Sequence, residues 1–132
     1  MEPLILETTF LVDLEREAQR DASGPAHEFL RAHPDHRLHV TFTVAGELAA
    51  GIAPQMRNRW EDFLRPFRIL WCTPEVRWRY GDAYRYLRSN GMLIGANDLW
   101  VAATAIGYGM PLVTRNERHL RRVPGLMVVG YV

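Results

Sequence analysis

The chain has 132 residues, 48% of them hydrophobic, and this predicts a single folded domain covering residues 1–132. The longest apolar run, residues 99–106, is far shorter than the roughly 20 residues of a membrane-spanning helix, and no cleavable leader is visible. The single cysteine, Cys72, excludes an internal disulfide and a zinc site of several thiolates. We therefore expect a cytoplasmic protein that does not associate with membranes.

The charge is unevenly distributed, although the whole chain carries a net charge of only +1. Residues 1–56 hold four arginines and nine acidic residues, whereas residues 57–132 hold twelve arginines and six acidic residues. All sixteen basic residues are arginines, whose planar guanidinium groups bind phosphates and carboxylates. Nucleic-acid contact would explain this choice, and a genomic bias toward arginine explains it equally well.

The chain is predicted to begin with a short apolar strand at residues 4–6. The periodic apolar positions that follow predict a helix with Thr8 or Thr9 as its N-cap. A second helix lies around residues 26–30 and ends before Pro34, because proline disfavours helical backbone in the residue before it. The first quarter of the chain thus predicts one strand and two helices.

The middle of the chain is predicted to repeat the order of strand and helix. Residues 38–42 form a β-rich strand, and Thr43 can cap a helix that ends at Gly51. Another helix covers about residues 54–64, and residues 69–71 form the third strand.

The last part of the chain continues this alternation. Pro74 suits the first turn of a long helix that stops at residues 90–91, Asn97 can cap the next helix, and Gly107 and Gly109 can end it. The last two strands are predicted at residues 111–113 and 126–129. Because strands separated by helices pair in parallel through right-handed crossovers, the pattern predicts an α/β three-layer sandwich with a central, mostly parallel five-stranded sheet.

Four acidic or polar residues are predicted to lie at one edge of this sheet: Glu7, Glu47, Asp98 and Asn116. Ligands collect beyond the carboxyl ends of parallel strands, and clustered carboxylates repel unless a cation neutralises them or one is protonated. Oxygen ligands suit Mg²⁺ or Mn²⁺, which can activate water in phosphodiester cleavage. Taken singly, each residue is also explained as a solvated strand end, a helix cap or a turn former, so the prediction depends on their shared placement.

Four segments of the chain carry a family resemblance. They are residues 4–14 (LILETTFLVDL), 43–51 (TVAGELAAG), 94–105 (IGANDLWVAATA) and 112–126 (LVTRNERHLRRVPGL). They resemble, in order, the four motifs of PIN-domain ribonucleases, and of VapC-like toxins in particular. The match extends over nearly the whole chain, and its last two motifs are the most specific.

This resemblance implies a metal-dependent endoribonuclease that cleaves structured RNA, such as tRNA or rRNA. It implies the toxin of a bacterial type II toxin–antitoxin pair, usually a homodimer, which a cognate antitoxin neutralises. Carried over by motif, Glu7, Glu47 and Asp98 would hold Mg²⁺ or Mn²⁺. Asn116 would complete the catalytic set, and the Thr8 hydroxyl would assist at the site and the bound RNA.

The sequence departs from the family at Glu7, where PIN domains normally have aspartate. The additional methylene moves the carboxylate outward, and misplacement by about 1 Å can cost about a hundredfold in rate. Glu7 is therefore interpreted as a natural variant with altered metal binding, as the mark of an attenuated toxin, or as an engineered substitution. We predict that Glu7→Asp raises metal-dependent RNA cleavage.

Cations beside the acidic residues are predicted to bind RNA phosphates. Arg115 and Arg118 flank Asn116 and are the first candidates, although cations that stabilise a helix terminus would give the same pattern. His119 is interpreted as a capping or packing residue, because a metal-activated water needs no separate base. Trp100 is the aromatic residue to test for stacking on a base.

Two other functions are also compatible with the sequence. The first is a catalytically silent PIN-like module that binds RNA or a protein partner, with Glu7 marking the lost activity. The second is a DNA-directed nuclease of a related metal-dependent fold. Cleavage assays with metal, with EDTA and with matched RNA and DNA substrates distinguish the three.

Overall fold

The computed structural model describes residues 2–132, so Met1, the first residue of the predicted domain, lies outside the described residues. Five strands form one sheet: β1 (Pro3–Leu6), β2 (Arg37–Thr41), β3 (Arg68–Leu70), β4 (Leu112–Val113) and β5 (Val128–Val129). Their order is β3-β2-β1-β4-β5, and every neighbouring pair is parallel. The predicted α/β fold with a central five-stranded sheet is confirmed, and the pairing is parallel throughout.

Helices connect these strands in the described part of the chain. They are α1 (Thr8–Gln19), α2 (Pro25–Ala32), α3 (Phe42–Ala50), α4 (Arg57–Leu64), α5 (Pro74–Ser89), α6 (Ala96–Tyr108) and α7 (Glu117–Leu120). A single 3₁₀ turn, Pro54–Met56, precedes α4, so the predicted helix over residues 54–64 is divided in two. Among residues 2–132, every helix falls short of the length and hydrophobicity that a bilayer crossing requires.

The core forms around the central strand. Ile5 and Leu6 of β1 are fully buried, and so is Phe10 on the first turns of α1. A continuous apolar run is typical of a parallel strand that is covered on both faces. Burial of each such side chain stabilises the fold by about 1.5–3 kcal/mol, which holds β1 and the residue that follows it in a fixed position.

The C-terminal end of α6 differs from the prediction. Gly107 does not end the helix but lies within it, facing α5. A Cβ at Gly107 would lie only 2.9 Å from Cγ2 of Val76, so glycine lets the two helices approach closely. The helix ends at Gly109, whose φ of 66° lies in the left-handed region that favours glycine.

Two predicted helix starts are wrong. Helix α3 is capped by Thr41, whose hydroxyl accepts a hydrogen bond from the Val44 N–H at 3.1 Å, and not by Thr43. Helix α6 has Gly95 at its N-cap, and Asn97 lies in its first turn. In both cases the helix begins earlier than the side-chain pattern indicated, because the residue with extended backbone that precedes it already meets the N-cap geometry.

The order of the strands determines where a ligand site can form. β1 lies at the centre of the sheet: β2 and β3 follow on one side of it, and β4 and β5 are added on the other side. At such a reversal a crevice opens beyond the carboxyl ends of the strands. Glu7 follows β1 directly, α3 begins at the end of β2, and Thr114 follows β4.

Candidate active site

Glu7 lies at this edge of the sheet, directly after β1, and is only 5% exposed. Its Oε2 accepts hydrogen bonds from the Thr9 N–H at 3.2 Å, the Thr9 hydroxyl at 2.6 Å and the Thr114 hydroxyl at 2.8 Å. Glu7 is therefore the N-cap of α1, and the prediction that Thr8 or Thr9 caps this helix is wrong. Within residues 2–132 its other oxygen, Oε1, accepts no hydrogen bond and remains available to a ligand.

Glu47 lies in the second turn of α3 and is half-buried. Its Oε1 accepts a hydrogen bond from the Thr8 hydroxyl at 2.9 Å, and its Oε2 lies 3.4 Å from the side-chain nitrogen of Asn97. These contacts connect α3 to the first residue of α1 and to the first turn of α6. Thr8 was predicted to assist the site and the RNA, and its hydroxyl contacts a site carboxylate.

Asp98 lies in the first turn of α6, directly after Asn97, whose side-chain nitrogen lies 3.4 Å from Oε2 of Glu47. Burial raises its pKa above the ordinary value, the negative charge of Glu47 raises it further, and His119 lowers it. Burial also raises the pKa of Glu7, and the charge of Asp98 adds to this increase. Hydrogen bonds from Thr9 and Thr114 lower the pKa but do not cancel the effect of burial. The fold thus brings Glu7, Glu47 and Asp98 into one region, although they are far apart in the sequence.

Asn116 is joined to this region through its neighbour. Its backbone N–H donates to the Thr114 hydroxyl at 2.9 Å, and that hydroxyl donates in turn to Glu7. Asn116 precedes α7, and its side chain forms no capping hydrogen bond there. Its amide group is therefore free to contact a ligand or a water beside the carboxylates.

The two arginines predicted to bind RNA differ in their environment. The guanidinium group of Arg115 forms an ion pair with Asp13 at 2.7 Å, although its side chain is half-exposed. Arg118 is exposed on α7 and forms no ion pair with the described residues. Arg118 is thus the more available of the two for a phosphate. His119, predicted to cap or pack, is also exposed and lies close enough to Asp98 to affect its pKa.

The donor set fits an oxygen-coordinating divalent cation that keeps part of its water. Within residues 2–132, no three histidine, cysteine, aspartate or glutamate side chains are close enough together to hold a metal ion directly. Burial raises the pKa values of Glu7 and Asp98, and neighbouring carboxylates add to the increase, so a bound cation would favour the charged form of both. Mg²⁺ usually binds through one or two carboxylates and several waters, which suits three carboxylates in one crevice.

Several residues at this site were not predicted from the sequence. Thr114 directly follows β4, as Glu7 directly follows β1, so the rule that identified Glu7 could have identified it too. Thr9, two residues after Glu7, has the local spacing of a capping partner. Tyr131 joins the network through Asp13, and no local signal connects residues 118 positions apart.

Comparisons with known proteins identify the family and the fold. The family described as PIN domain matches residues 4–126. The ribonuclease VapC1 of Methanocaldococcus jannaschii is 26% identical over 127 residues, which cover 91% of this chain and 80% of that protein. A DNA-bound VapBC structure from Salmonella typhimurium superposes with a TM-score of 0.86 at 20% identity over 100% of both chains.

A toxin–antitoxin complex from Klebsiella pneumoniae superposes with a TM-score of 0.71 at 22% identity, covering 96% of this chain and 95% of that one. At these identities the two structures establish the fold. The family match extends over nearly the whole chain and includes all four predicted site residues. The chain belongs to the PIN-domain family.

Proposed function

We propose that this protein is a metal-dependent endoribonuclease that cleaves structured RNA, such as tRNA or rRNA, and acts as the toxin of a toxin–antitoxin pair. The observation that carries the proposal is the convergence of Glu7, Glu47 and Asp98, from three distant segments, at the carboxyl edge of a parallel sheet. Carboxylates with raised pKa values in a crevice are typical of a functional site.

The proposed cation is Mg²⁺ or Mn²⁺, held by Glu7, Glu47 and Asp98 either directly or through bound waters. When bound, such an ion activates water and stabilises the leaving oxygen of a phosphodiester. Thr8 orients Glu47, and two threonines hold Glu7 through Oε2, which leaves Oε1 without a hydrogen bond among the described residues. Asn116 assists through its carbonyl oxygen or a bridging water.

The RNA is proposed to lie across α7. Arg118 is the candidate for a phosphate contact, because its guanidinium group has no acidic partner among the described residues. His119 adds a second donor beside Asp98. Arg115, which pairs with Asp13, is assigned a smaller part in binding than the sequence indicated.

A cognate antitoxin is the proposed protein partner. A cavity of about 330 Å³ lies between α1, α3 and α4, and both Thr8 and Glu47 line it. Its apolar lining, which includes Trp60 and Phe63, suits the apolar face of a peptide segment that would cover the catalytic carboxylates. We expect Ile52→Arg, in this lining, to abolish neutralisation by the antitoxin while RNA cleavage persists.

Three further assignments accompany the proposal. Residues 1–132 form one domain, because the buried side chains of the described part make one continuous cluster. The protein is a homodimer, for which the exposed side chains of Trp71 and Trp78 are candidate contacts. An RNA substrate and an antitoxin partner imply action in the cytoplasm.

The test is RNA cleavage by the purified protein. We expect Mn²⁺ to support cleavage of total tRNA, EDTA to stop it, and Asp98→Asn to reduce it at least about a hundredfold. Asp82→Asn is the matched control, because Asp82 is exposed on α5 and, among residues 2–132, pairs only with Arg85. Cleavage that resists EDTA, or none with any divalent metal, would refute the proposal.

A catalytically silent RNA-binding or protein-binding module is the second candidate. The observation that favours it is Glu7, because three hydrogen bonds hold one oxygen of its longer side chain, and one of them caps α1. Tight RNA binding without cleavage would support this alternative. A single-stranded DNA of the same sequence, tested beside the RNA, distinguishes the ribonuclease and the silent module from a DNA-directed nuclease, which alone would cleave the DNA.

A further inference from the structure

The side chain of Tyr131, which follows β5, packs against the first turns of α1. Its ring meets the buried ring of Phe10 edge-on, with centroids 4.7 Å apart and planes at 77°. The phenol hydroxyl donates to Oδ2 of Asp13 at 2.5 Å. Phe10 and Asp13 are three residues apart on one face of α1, so this face receives both the ring and the hydroxyl.

Asp13 shares the same oxygen with a second donor. Nη2 of Arg115 lies 2.7 Å from Oδ2 of Asp13, and the guanidinium carbon lies 6.0 Å from the centre of the Tyr131 ring. The Asp13 side chain is only 13% exposed, so its charge depends on these two donors for compensation. Burial and the neighbouring Asp13 raise the pKa of Tyr131, which keeps its hydroxyl protonated as a donor.

The backbone of Arg115 connects this cluster to the carboxylate site. Its N–H donates to the Thr9 hydroxyl at 3.1 Å, and the Thr9 hydroxyl donates to Oε2 of Glu7 at 2.6 Å. The residues on either side of Arg115 are Thr114, which also donates to Glu7, and Asn116. Arg115 thus holds the loop between β4 and α7 at two points: its side chain pairs with Asp13, and its backbone N–H bonds to Thr9.

We propose that Tyr131 is a positioning residue for the carboxylate site: through Asp13 and Arg115 it holds the loop that orients Glu7 and Asn116. It touches neither substrate nor metal. The proposal rests on the proposed nuclease function, and it assigns Arg115 to the organisation of the site as well as to its charge. A structural role alone would make Tyr131 a packing contact on Phe10, with no effect on the loop.

The test compares Tyr131→Phe with Tyr108→Phe in the full chain. Tyr131→Phe keeps the ring on Phe10 and removes only the hydroxyl. Tyr108→Phe is the matched control, because its hydroxyl also forms one hydrogen bond, at 3.0 Å to the Trp71 carbonyl oxygen, and that bond is not connected to the site. The first measurement is amide hydrogen exchange by NMR without metal, which is independent of cleavage.

We expect the Arg115 amide to exchange at least about fivefold faster in Tyr131→Phe, because its loop opens more often. The Val44 amide, bonded to Thr41, should be unchanged. We also expect kcat with Mn²⁺ to fall about tenfold while KM for RNA stays constant, because orientation at the carboxylates is lost and RNA contacts are kept. In the control variant both quantities should match the parent.

A double-mutant cycle adds a readout that packing alone does not give. Asp13→Asn and Tyr131→Phe should be strongly non-additive in the exchange rate of Arg115, because they interrupt one chain of contacts. Arg115 exchange within about twofold of the parent, or additive effects, would overturn the positioning role. A parent that cleaves no RNA would instead refute the proposed function, and the exchange result would still decide the role of Tyr131.

Discussion

Replacement of Glu17 should destabilise the fold more than any other single change to an acidic side chain outside the candidate site. Glu17 is 3% exposed and lies on α1 against the start of α2. Its carboxylate accepts hydrogen bonds from the N–H groups of Gly24, Ala26 and His27 at 2.9–3.0 Å. Nδ1 of His27 lies 2.7 Å away, and a Cβ at Gly24 would lie 2.6 Å from Oε2. One carboxylate thus satisfies the unpaired donors that begin α2.

The pKa of Glu17 supplies the magnitude. Burial alone would raise it, but hydrogen bonds from His27, Ala26 and Gly24 outweigh burial and lower the pKa from 4.5 to about 2. That difference corresponds to about 3 kcal/mol of stability. Because the pKa is lowered in the folded state, this contribution is complete above pH 4.5 and is lost as the pH falls toward 2.

Urea unfolding of Glu17→Gln and of the parent measures this contribution. At pH 7 we expect the variant to lose about 2–3 kcal/mol, since the amide keeps an acceptor oxygen but loses the charge. The difference should shrink steadily below pH 4.5. Glu28→Gln, exposed in the first turn of α2, should change stability by about 0.5 kcal/mol or less. A loss at Glu17 below about 0.5 kcal/mol, or one independent of pH, would show that its charged carboxylate does not stabilise the start of α2.

Three further predictions concern the candidate site. Glu7→Asp should raise the rate of Mn²⁺-dependent RNA cleavage, because aspartate can still cap α1 while its carboxylate matches the family's position; activity equal to or below the parent's would contradict the motif assignment. Asp98→Asn should raise the melting midpoint of the metal-free protein at pH 8 by about 2–4 °C, because it removes a half-buried charge near Glu47. Since the pKa of Asp98 is raised by folding, this gain should appear as the pH rises through that pKa and should vanish in acid. A difference in midpoint between variant and parent that does not change with pH would count against the prediction. Arg118→Ala should raise KM for RNA and reduce its salt dependence at unchanged melting midpoint, whereas Arg121→Ala, whose guanidinium group pairs with Glu117, should change KM much less.

The order of strands and helices could be predicted because local patterns determine it. Apolar runs bounded by polar residues located all five strands, and the rule for parallel strands then located Glu7 at the carboxyl edge. Element ends were less accurate. Residues 69–71 were predicted as a strand, but the strand ends at Leu70 and Trp71 is 76% exposed. Hydrophobicity alone does not indicate at which residue a short edge strand stops pairing with its neighbour.

The contacts of the site could not be predicted to the same extent. Arg115 was predicted to bind RNA because it precedes Asn116 in sequence, but its guanidinium group is paired with Asp13 on α1. The hydrogen bond between Thr114 and Glu7 joins residues 107 positions apart, and it depends on the register of β1 against β4. Such pairs follow from tertiary packing, which no local periodicity encodes. The cap of α1 was missed for a different reason, since glutamate is not among the preferred N-cap residues.

The most direct test of the central claim is a crystal of the parent protein soaked in Mn²⁺ and measured at an anomalous wavelength. We expect an anomalous peak in the crevice, between Glu47 and Asp98 and on the Oε1 side of Glu7, and no such peak in a crystal of Asp98→Asn. Crystals that diffract well but show no peak between these carboxylates, or show one only elsewhere on the molecule, would contradict it.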